Sequence, residues 1–342
     1  MLSSDKGIYL AVCLNPVIQK TFVVDGLAKG EINRSSEYRV DVAGKGVCCA
    51  RVLGQAGYRA LHLTQLGGPT RDWFMSMCAA DGVELRWVES GSDIRFCTTV
   101  IDRRDGTATE LVEEARVVDA GTGDRVLAEF ARILPEVSTV MLSGTKAAGF
   151  PPGIMPKMAA MAAAAGKRIF LDIKGRDLLD SLPAKPLVVK PNLEELFQTY
   201  PSAKGVPAVC ATAVENAGVG GSVGAVESAA ESAAESAARE IVTRVGREYF
   251  SRWGSFLVVT RGARPTLYWD GMRLRECPVL PVEVQNPIGS GDSFNVGVAT
   301  ALGSGATIAE AVAEGTRLGA LNAANLKPGS ILPDRPRRAD PA

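Results

Sequence analysis

The sequence predicts an α/β fold: a central, mostly parallel β-sheet flanked by helices, with a small second β-sheet as a lid. Two observations predict it. Apolar strand-like runs alternate along the chain with helical patterns, as expected when a parallel sheet is covered on both faces. Four further segments are short and alternate apolar with polar residues, which suits strands exposed on one face.

The buried strands are expected at 8–14, 60–64, 139–143, 168–173, 187–190 and 256–260. Helical stretches lie between them, for example 45–57, 124–134 and 152–165, and two more, 292–302 and 307–325, end the chain. In the last of these, Ile308, Val312 and Leu321 approximate one helical face. The lid strands are expected at 21–24, 37–42, 96–101 and 107–112, within lid regions of about 20–42 and 95–112. Residues 213–239 are low in complexity: a Gly-rich stretch leads into repeats of Glu-Ser-Ala-Ala, read as a solvated helical insertion with a flexible leader. The expectation is one domain over 1–332 and a frayed, Pro- and Arg-rich tail at 333–342.

Composition excludes several function classes. Apolar residues make up 46% of the 342, enough for a large core. Lys plus Arg balance Asp plus Glu at 38 each, so no basic excess points to nucleic acid or an anionic membrane. No apolar run reaches the length of a membrane span, and residues 1–9 lack a signal core, so a cytoplasmic protein is expected. The seven cysteines have no paired spacing, which argues against a disulfide framework or a zinc site. His62, the sole histidine, sits in an apolar stretch and makes a poor catalytic or metal candidate.

The strongest chemical signal is N-P-I-G-S-G-D-S-F at 286–294, which follows a strand-like stretch and opens a helix. Gly289 and Gly291 allow a tight turn and close approach of a ligand. The amides of Ser290, Gly291 and Asp292 can then face an anion at a helix N-terminus. A carboxylate at Asp292, beside those donors, can take a proton from an attacking hydroxyl. A helix-capping role for Asp292 is the competing reading. Neither G-x-x-x-x-G-K-[ST] nor a G-x-G-x-x-G after the first strand is present, so nucleotide binding needs another architecture.

The 286–294 stretch resembles the signature of the PfkB/ribokinase family of carbohydrate kinases, in which the Asp is the catalytic base. Other pieces resemble the family's 1-phosphofructokinase and tagatose-6-phosphate kinase branch. They are C-L-N-P-V-I-Q-K-T (13–21), G-E-I-N-R (30–34), A-G-K-G-V-C-C-A-R-V-L (43–53) and Q-L-G-G (65–68). Further along, L-S-G-T (142–145), P-P-G (151–153), V-K-P-N-L-E-E-L (189–196), V-T-R-G-A (259–263) and G-A-L-N-A-A-N (319–325) keep family order.

The resemblance implies a ribokinase-like fold and ATP-dependent phosphorylation of a small phosphorylated ketohexose, of the fructose-1-phosphate, tagatose-6-phosphate or fructose-6-phosphate type. It implies Asp292 as base and Gly289, Ser290 and Gly291 as anion hole. Lys190, Asn192, Thr260, Gly262 and Asn322 fall on the ATP side. Glu195, in Asn192-x-x-Glu195, is linked to Mg²⁺ placement through water, and the pair also reads as a helix capping box. Gln19, Arg34, Gly44, Lys45, Arg95 and Ser143 fall on the acceptor side, where a guanidinium such as Arg95 suits a phosphate. Four positions depart from the family pattern: Gln19 stands where Asp is usual, Ala43 where Gly is usual, Cys48 where Asn is usual and, in the nucleotide loop, Pro265 where Gly is common. Two other readings stay open, a kinase of an unphosphorylated sugar or nucleoside and a non-catalytic binding protein. Expected partners are ATP and a sugar phosphate, with neither nucleic acid nor membrane, and relatives allow a homodimer through the lid.

Overall fold

The computed structural model describes residues 7–201 and 226–333. From the N-terminus the chain runs β1 (Tyr9–Leu14), β2 (Val17–Val24), β3 (Glu37–Ala43), α1 (Lys45–Gln55), β4 (Ala60–Leu66), α2 (Arg71–Ala80) and β5 (Glu84–Glu89). It continues through β6 (Arg95–Asp102), β7 (Thr107–Val112), α3 (Thr122–Ile133), β8 (Thr139–Lys146), α4 (Ile154–Ala164), β9 (Arg168–Asp172) and α5 (Gly175–Ser181). Then come β10 (Val188–Val189), α6 (Leu193–Thr199), α7 (Val226–Trp253), β11 (Phe256–Arg261), β12 (Arg264–Trp269), β13 (Leu274–Cys277), α8 (Ser290–Gly303) and α9 (Ile308–Ala323).

Nine strands form one sheet in the order β13-β12-β11-β10-β9-β8-β1-β4-β5. From β11 to β5 every pairing is parallel; β12 and β13 add antiparallel strands at one edge. Side chains alternate along β1. Leu10, Val12 and Leu14 enter a core with Phe130, Met158, Val242 and Tyr249. Tyr9 and Ala11 enter a second core with Val47, Phe74, Phe294 and Val312. Each face of the sheet is thus covered by helices, the arrangement that makes its strands apolar throughout.

Strand order reverses between β1 and β8, since β4 and β5 lie on one side of β1 and β8 to β11 on the other. In open α/β sheets a crevice forms outside the carboxyl ends of the strands at such a reversal. The lid, β3-β2-β6-β7, borders this end, since Arg95 of β6 lines one cavity with Asn15, Thr145 and Asp172. Arg51, fully buried on α1, ties lid to body: it pairs with Asp81 and donates to the carbonyls of Val42 and Pro328.

All the expected strands form, and four of them make the lid. Sequence reading missed β5 and the β12–β13 hairpin. Residues 202–225 of the segment containing the expected insertion, and 334–342 of the expected tail, lie outside the described residues. In the remainder of the insertion, residues 231–237 are exposed or half-buried on a helix, as the solvated-helix reading expects, and only its end meets the core. α7 runs without a break to Trp253, Ala238 is buried, and Glu235 pairs with Arg261 at 2.7 Å. The periodic Ala-rich repeat reads as solvent-facing up to the point where its own helix enters the core.

Candidate active site

The C-terminal ends of β1, β8, β9 and β10 deliver Asn15, Thr145, Asp172 and Lys190 to one place. Asn15 Nδ2 donates to Thr145 Oγ1 at 2.9 Å across the β1–β8 junction. Lys190 Nζ stands 3.4 Å from Asp172 Oδ2, and both side chains are almost wholly buried. Lys45, the first residue of α1, reaches in from the lid side and donates to Asp172 Oδ1 at 2.9 Å and Glu195 Oε1 at 3.1 Å. Burial disfavours the Lys45 charge, but Asp172 and Glu195 outweigh it and raise the ammonium well above its ordinary range. Burial likewise opposes the Asp172 charge, and Lys190 and Lys45 overcome it, holding that carboxyl below its usual range.

Asp292 lies in the first turn of α8 and is 8% exposed. Gly289, at φ 84°, makes the turn into the helix, and a Cβ there would lie 2.3 Å from the Gly329 amide nitrogen. No other residue type fits that backbone without displacement. The Ser290 amide donates to Pro287 O at 3.2 Å, so it is engaged in the turn. The first-turn amides of Gly291 and Asp292 have no helical carbonyl to meet. A Cβ on Gly291 would sit 3.7 Å from Lys190 Nζ, so this turn and the Asp172–Lys190 pair face each other. Burial pushes Asp292 up from 3.8 to about 7, opposed by Lys45 and Lys190 and aided by Asp172.

Asn192 and Glu195 form the capping box of α6: Asn192 Oδ1 accepts from the Glu195 amide at 2.7 Å, and Glu195 Oε2 accepts from the Asn192 amide at 2.9 Å. Glu195 therefore caps a helix with one oxygen and meets Lys45 with the other. Thr260 bridges to Asn192, and Gly262, at φ 61°, turns β11 into β12 beside it. A cavity of about 180 Å³ between lid and body is lined by Asn15, Gly44, Lys45, Arg95, Thr145, Lys174 and Glu195, among others. Arg95 donates to Glu113 O at 3.2 Å, while its buried Nε has no hydrogen-bond partner among the described residues. Ser143 Oγ, in register with Asp172 across β8 and β9, is likewise buried without one.

Three expected site residues lie elsewhere. Asn322 has no exposed surface; it donates to Ile288 O and Ser290 Oγ and accepts from the Ser330 amide and Ser293 Oγ. Its amide is used up in pinning the 286–293 turn, so in this structure it clamps the turn and does not face a ligand. Gln19 is buried in the lid, where it donates to Thr99 Oγ1, and it does not line the cavity. Arg34 is exposed on the loop between β2 and β3. Sequence reading missed Asp172, Asn15, Thr145 and Lys174. Asp172 had a signal, a lone carboxylate ending the apolar run Ile169-Phe170-Leu171. His62 is buried, with Nδ1 3.0 Å from Ala11 O, and burial lowers it to about 4.

The hard oxygen donor Glu195 and the lysine-flanked anion turn fit a nucleotide phosphate with Mg²⁺. Among the described residues no helix is long and apolar enough to cross a membrane.

Comparison with known proteins agrees. The profile of the pfkB family carbohydrate kinases matches residues 12–335. Phosphofructokinase-2 from Escherichia coli in complex with fructose-6-phosphate superposes with a TM-score of 0.69 at 20% identity, covering 93% of this chain and 92% of that one. The same enzyme in complex with potassium gives 0.72 at 19% identity, with 93% of each chain covered. A Thermotoga maritima protein described as a "possible 1-phosphofructokinase" gives 0.75 at 16% identity, covering 94% of this chain and 93% of that one. At these identities the likeness carries the ribokinase-like fold, and the profile carries the family. Spanning nearly all of the described residues, that match means that the chain belongs to the pfkB family of carbohydrate kinases.

Proposed function

We propose that this kinase transfers the γ-phosphoryl group of ATP to a hydroxyl of a phosphorylated ketohexose, with Asp292 as the base. The observation that carries the reading is the buried Asp292 carboxyl beside the open amides of the α8 turn, with Lys190 across from them. The acceptor hydroxyl gives its proton to Asp292 as its oxygen attacks the γ-phosphorus. The bond from that phosphorus to the β–γ bridging oxygen breaks, and ADP leaves with the bond pair. The Gly291 and Asp292 amides stabilise charge on the transferring group, and Gly289 and Ser290 shape the turn that aims them. Lys190, Asn192, Thr260 and Gly262 form the nucleotide side. Glu195 would hold Mg²⁺ through water, both of its oxygens being already engaged. Bound there, Mg²⁺ neutralises charge on the phosphate oxygens.

Gly44, Lys45, Arg95 and Ser143 form the acceptor side. The unpartnered Arg95 Nε favours an acceptor that carries its own phosphate. The six free thiols among the described residues fit a reducing cytoplasm. One face of the lid, with Tyr38 and Leu111 exposed on it, supports a homodimer formed there. The test is ATP consumption across matched phosphorylated and unphosphorylated ketohexoses, for the natural enzyme and Asp292→Asn. Turnover should favour the phosphorylated members and fall roughly 10²–10⁴-fold in the variant. Near-normal turnover by Asp292→Asn would restore the capping reading.

A further inference from the structure

The segment 326–330, just after α9, touches three parts of the molecule at once. Toward α8 it supports the anion turn. Leu326 O accepts from Asn286 Nδ2 at 2.9 Å, and the Ser330 amide donates to Asn322 Oδ1 at 3.0 Å. Gly329 lies so close to the turn that a Cβ on Gly289 would strike its amide nitrogen. Toward α1, the Pro328 carbonyl accepts from buried Arg51 at 2.9 Å. Toward the lid the segment sends Lys327. Its ammonium pairs with Asp81, at the C-terminus of α2, and stands 3.9 Å from Asp41 Oδ1 on β3. Asp41 is buried, and Arg39 holds it with bonds of 2.5 and 2.9 Å. Asp81 is held in turn by Arg51 at 2.8 Å, and Arg51 also donates to Val42 O, next to Asp41.

We infer that Lys327 is a positioning residue for the α8 turn: sharing its charge between Asp41 of the lid and Asp81 of the body, it locks β3 against 326–330, and that segment holds the turn in place. The inference rests on this turn being where the phosphoryl group passes. The physical case is one of charge and reach. Arg39 meets Asp41 from within the lid, and Arg51 meets Asp81 from within the body. Lys327 faces both carboxylates. A cation between two carboxylates is held best when both are near, so the two attractions resist any parting of β3 from the body. The lysine side chain is only 19% exposed, and such pairs are screened less than fully exposed ones. Displacing Lys327 moves Pro328 and Gly329 with it, and Gly329 cannot advance without displacing Gly289. A loosened turn aims its amides less well and lets water attack the γ-phosphorus in place of the acceptor, giving ADP and inorganic phosphate.

The experiment compares Lys327→Met, Lys327→Arg, Asp41→Asn and the double variant Lys327→Met/Asp41→Asn with the natural enzyme. Hydrogen exchange is read at the Asn286, Ser290 and Ser293 amides, whose bonds to the Ala323, Pro287 and Gly289 carbonyls hold the turn. Both Lys327→Met and Asp41→Asn should exchange there about two- to fivefold faster, with the β8 amides unchanged. With fructose-1-phosphate, fructose-6-phosphate and tagatose-6-phosphate as acceptors, the ratio of phosphosugar formed to inorganic phosphate released should fall by a similar factor. That ratio does not depend on how much enzyme is folded, so a merely structural residue would leave it unmoved. Lys327→Arg keeps the charge and should keep the natural values. The double variant should be no worse than Lys327→Met, because the two groups act as one pair. Natural exchange in Asp41→Asn, an unmoved ratio in Lys327→Met, or losses that add in the double variant each overturn the inference. Failure of Lys327→Arg to keep the natural values overturns it too, since charge would then not be the reason. An active Asp292→Asn would instead remove the base assignment, and the exchange rates would still decide whether lid and turn are joined through Lys327.

Discussion

Removing the charge of Asp292 should separate two pH dependences that the structure couples. Its carboxyl is raised from 3.8 to about 7 in the folded protein, first by burial and then by Asp172. Between those two values the native state holds a proton that the unfolded chain has released. Stability must therefore fall as pH rises through this window and level off above it. The span is about three pH units, and at about 1.4 kcal/mol per unit it amounts to roughly 4 kcal/mol. Catalysis runs the other way, because a base must be ionised, so kcat/KM should climb along an acid limb with an apparent pKa near 7. Asp292→Asn mimics the protonated side chain at every pH. Thermal unfolding from pH 4.5 to 8.5 should find the two proteins alike at the acid end. Above pH 7 the variant should be the more stable, by a few kcal/mol, and inactive. Taking the difference between the proteins cancels every other titrating group. A difference that stays constant from pH 5 to 8, or an acid limb near pH 4, would refute the argument.

Glu195→Gln should raise the Mg²⁺ concentration giving half-maximal rate several-fold. It should leave unfolding nearly unchanged, since Gln can still accept from the Asn192 amide and complete the box; an unaltered Mg²⁺ titration would count against Glu195. Arg95→Ala should reduce kcat/KM for a phosphorylated ketohexose about 10- to 100-fold and spare its unphosphorylated counterpart. Equal losses on both acceptors would sink the phosphate clamp. Gly289→Ala must place a Cβ 2.3 Å from the Gly329 nitrogen at a φ of 84°. The left-handed backbone alone costs about 1–2 kcal/mol, so both the unfolding temperature and turnover should drop. Wild-type values for both would show that the turn can move freely.

What the sequence made legible was local. The G-S-G-D turn and the Asn192-x-x-Glu195 box are short motifs whose geometry follows from neighbouring backbone, and both form. Strands 8–14 and 139–143 announced themselves as apolar runs because both faces of the sheet are covered. Contacts made across the fold were harder to read. Asp172 joins the site only because β9 lies in register beside β8 and β10, a pairing that no local pattern encodes. Asn322 was placed on the nucleotide side by position, whereas its hydrogen bonds run inward to Ser290 and Ser330. The Ala-rich repeat forms the exposed helix expected of it and hid only its end. Ala suits solvent and core equally, so composition could not reveal where α7 stops facing water. Glu235 lies within the repeat and neutralises Arg261, whose side chain is almost fully buried.

The ionic groups of the site also account for one another. Lys45 and Lys190 carry positive charge, and Asp172 and Glu195 take both lysines between them. A third carboxylate, Asp292, enters a buried region whose cations are already committed. Burial with only shared lysines is what lifts it to about 7 and not to the far higher value of a wholly unpaired acid. With Asp292 protonated the cluster is close to neutral, and with it ionised the cluster carries one net negative charge. An incoming nucleotide and a phosphorylated acceptor would add several more. The lysines must then turn from Asp172 and Glu195 toward phosphate, or further positive charge must arrive with the nucleotide. Under the proposed function Arg95, at the lid side of the cavity with a nitrogen unpartnered among the described residues, would answer the acceptor's share of that demand. The nucleotide's share would fall to a hard cation that Glu195 holds through water, its two oxygens being engaged by Lys45 and the Asn192 amide.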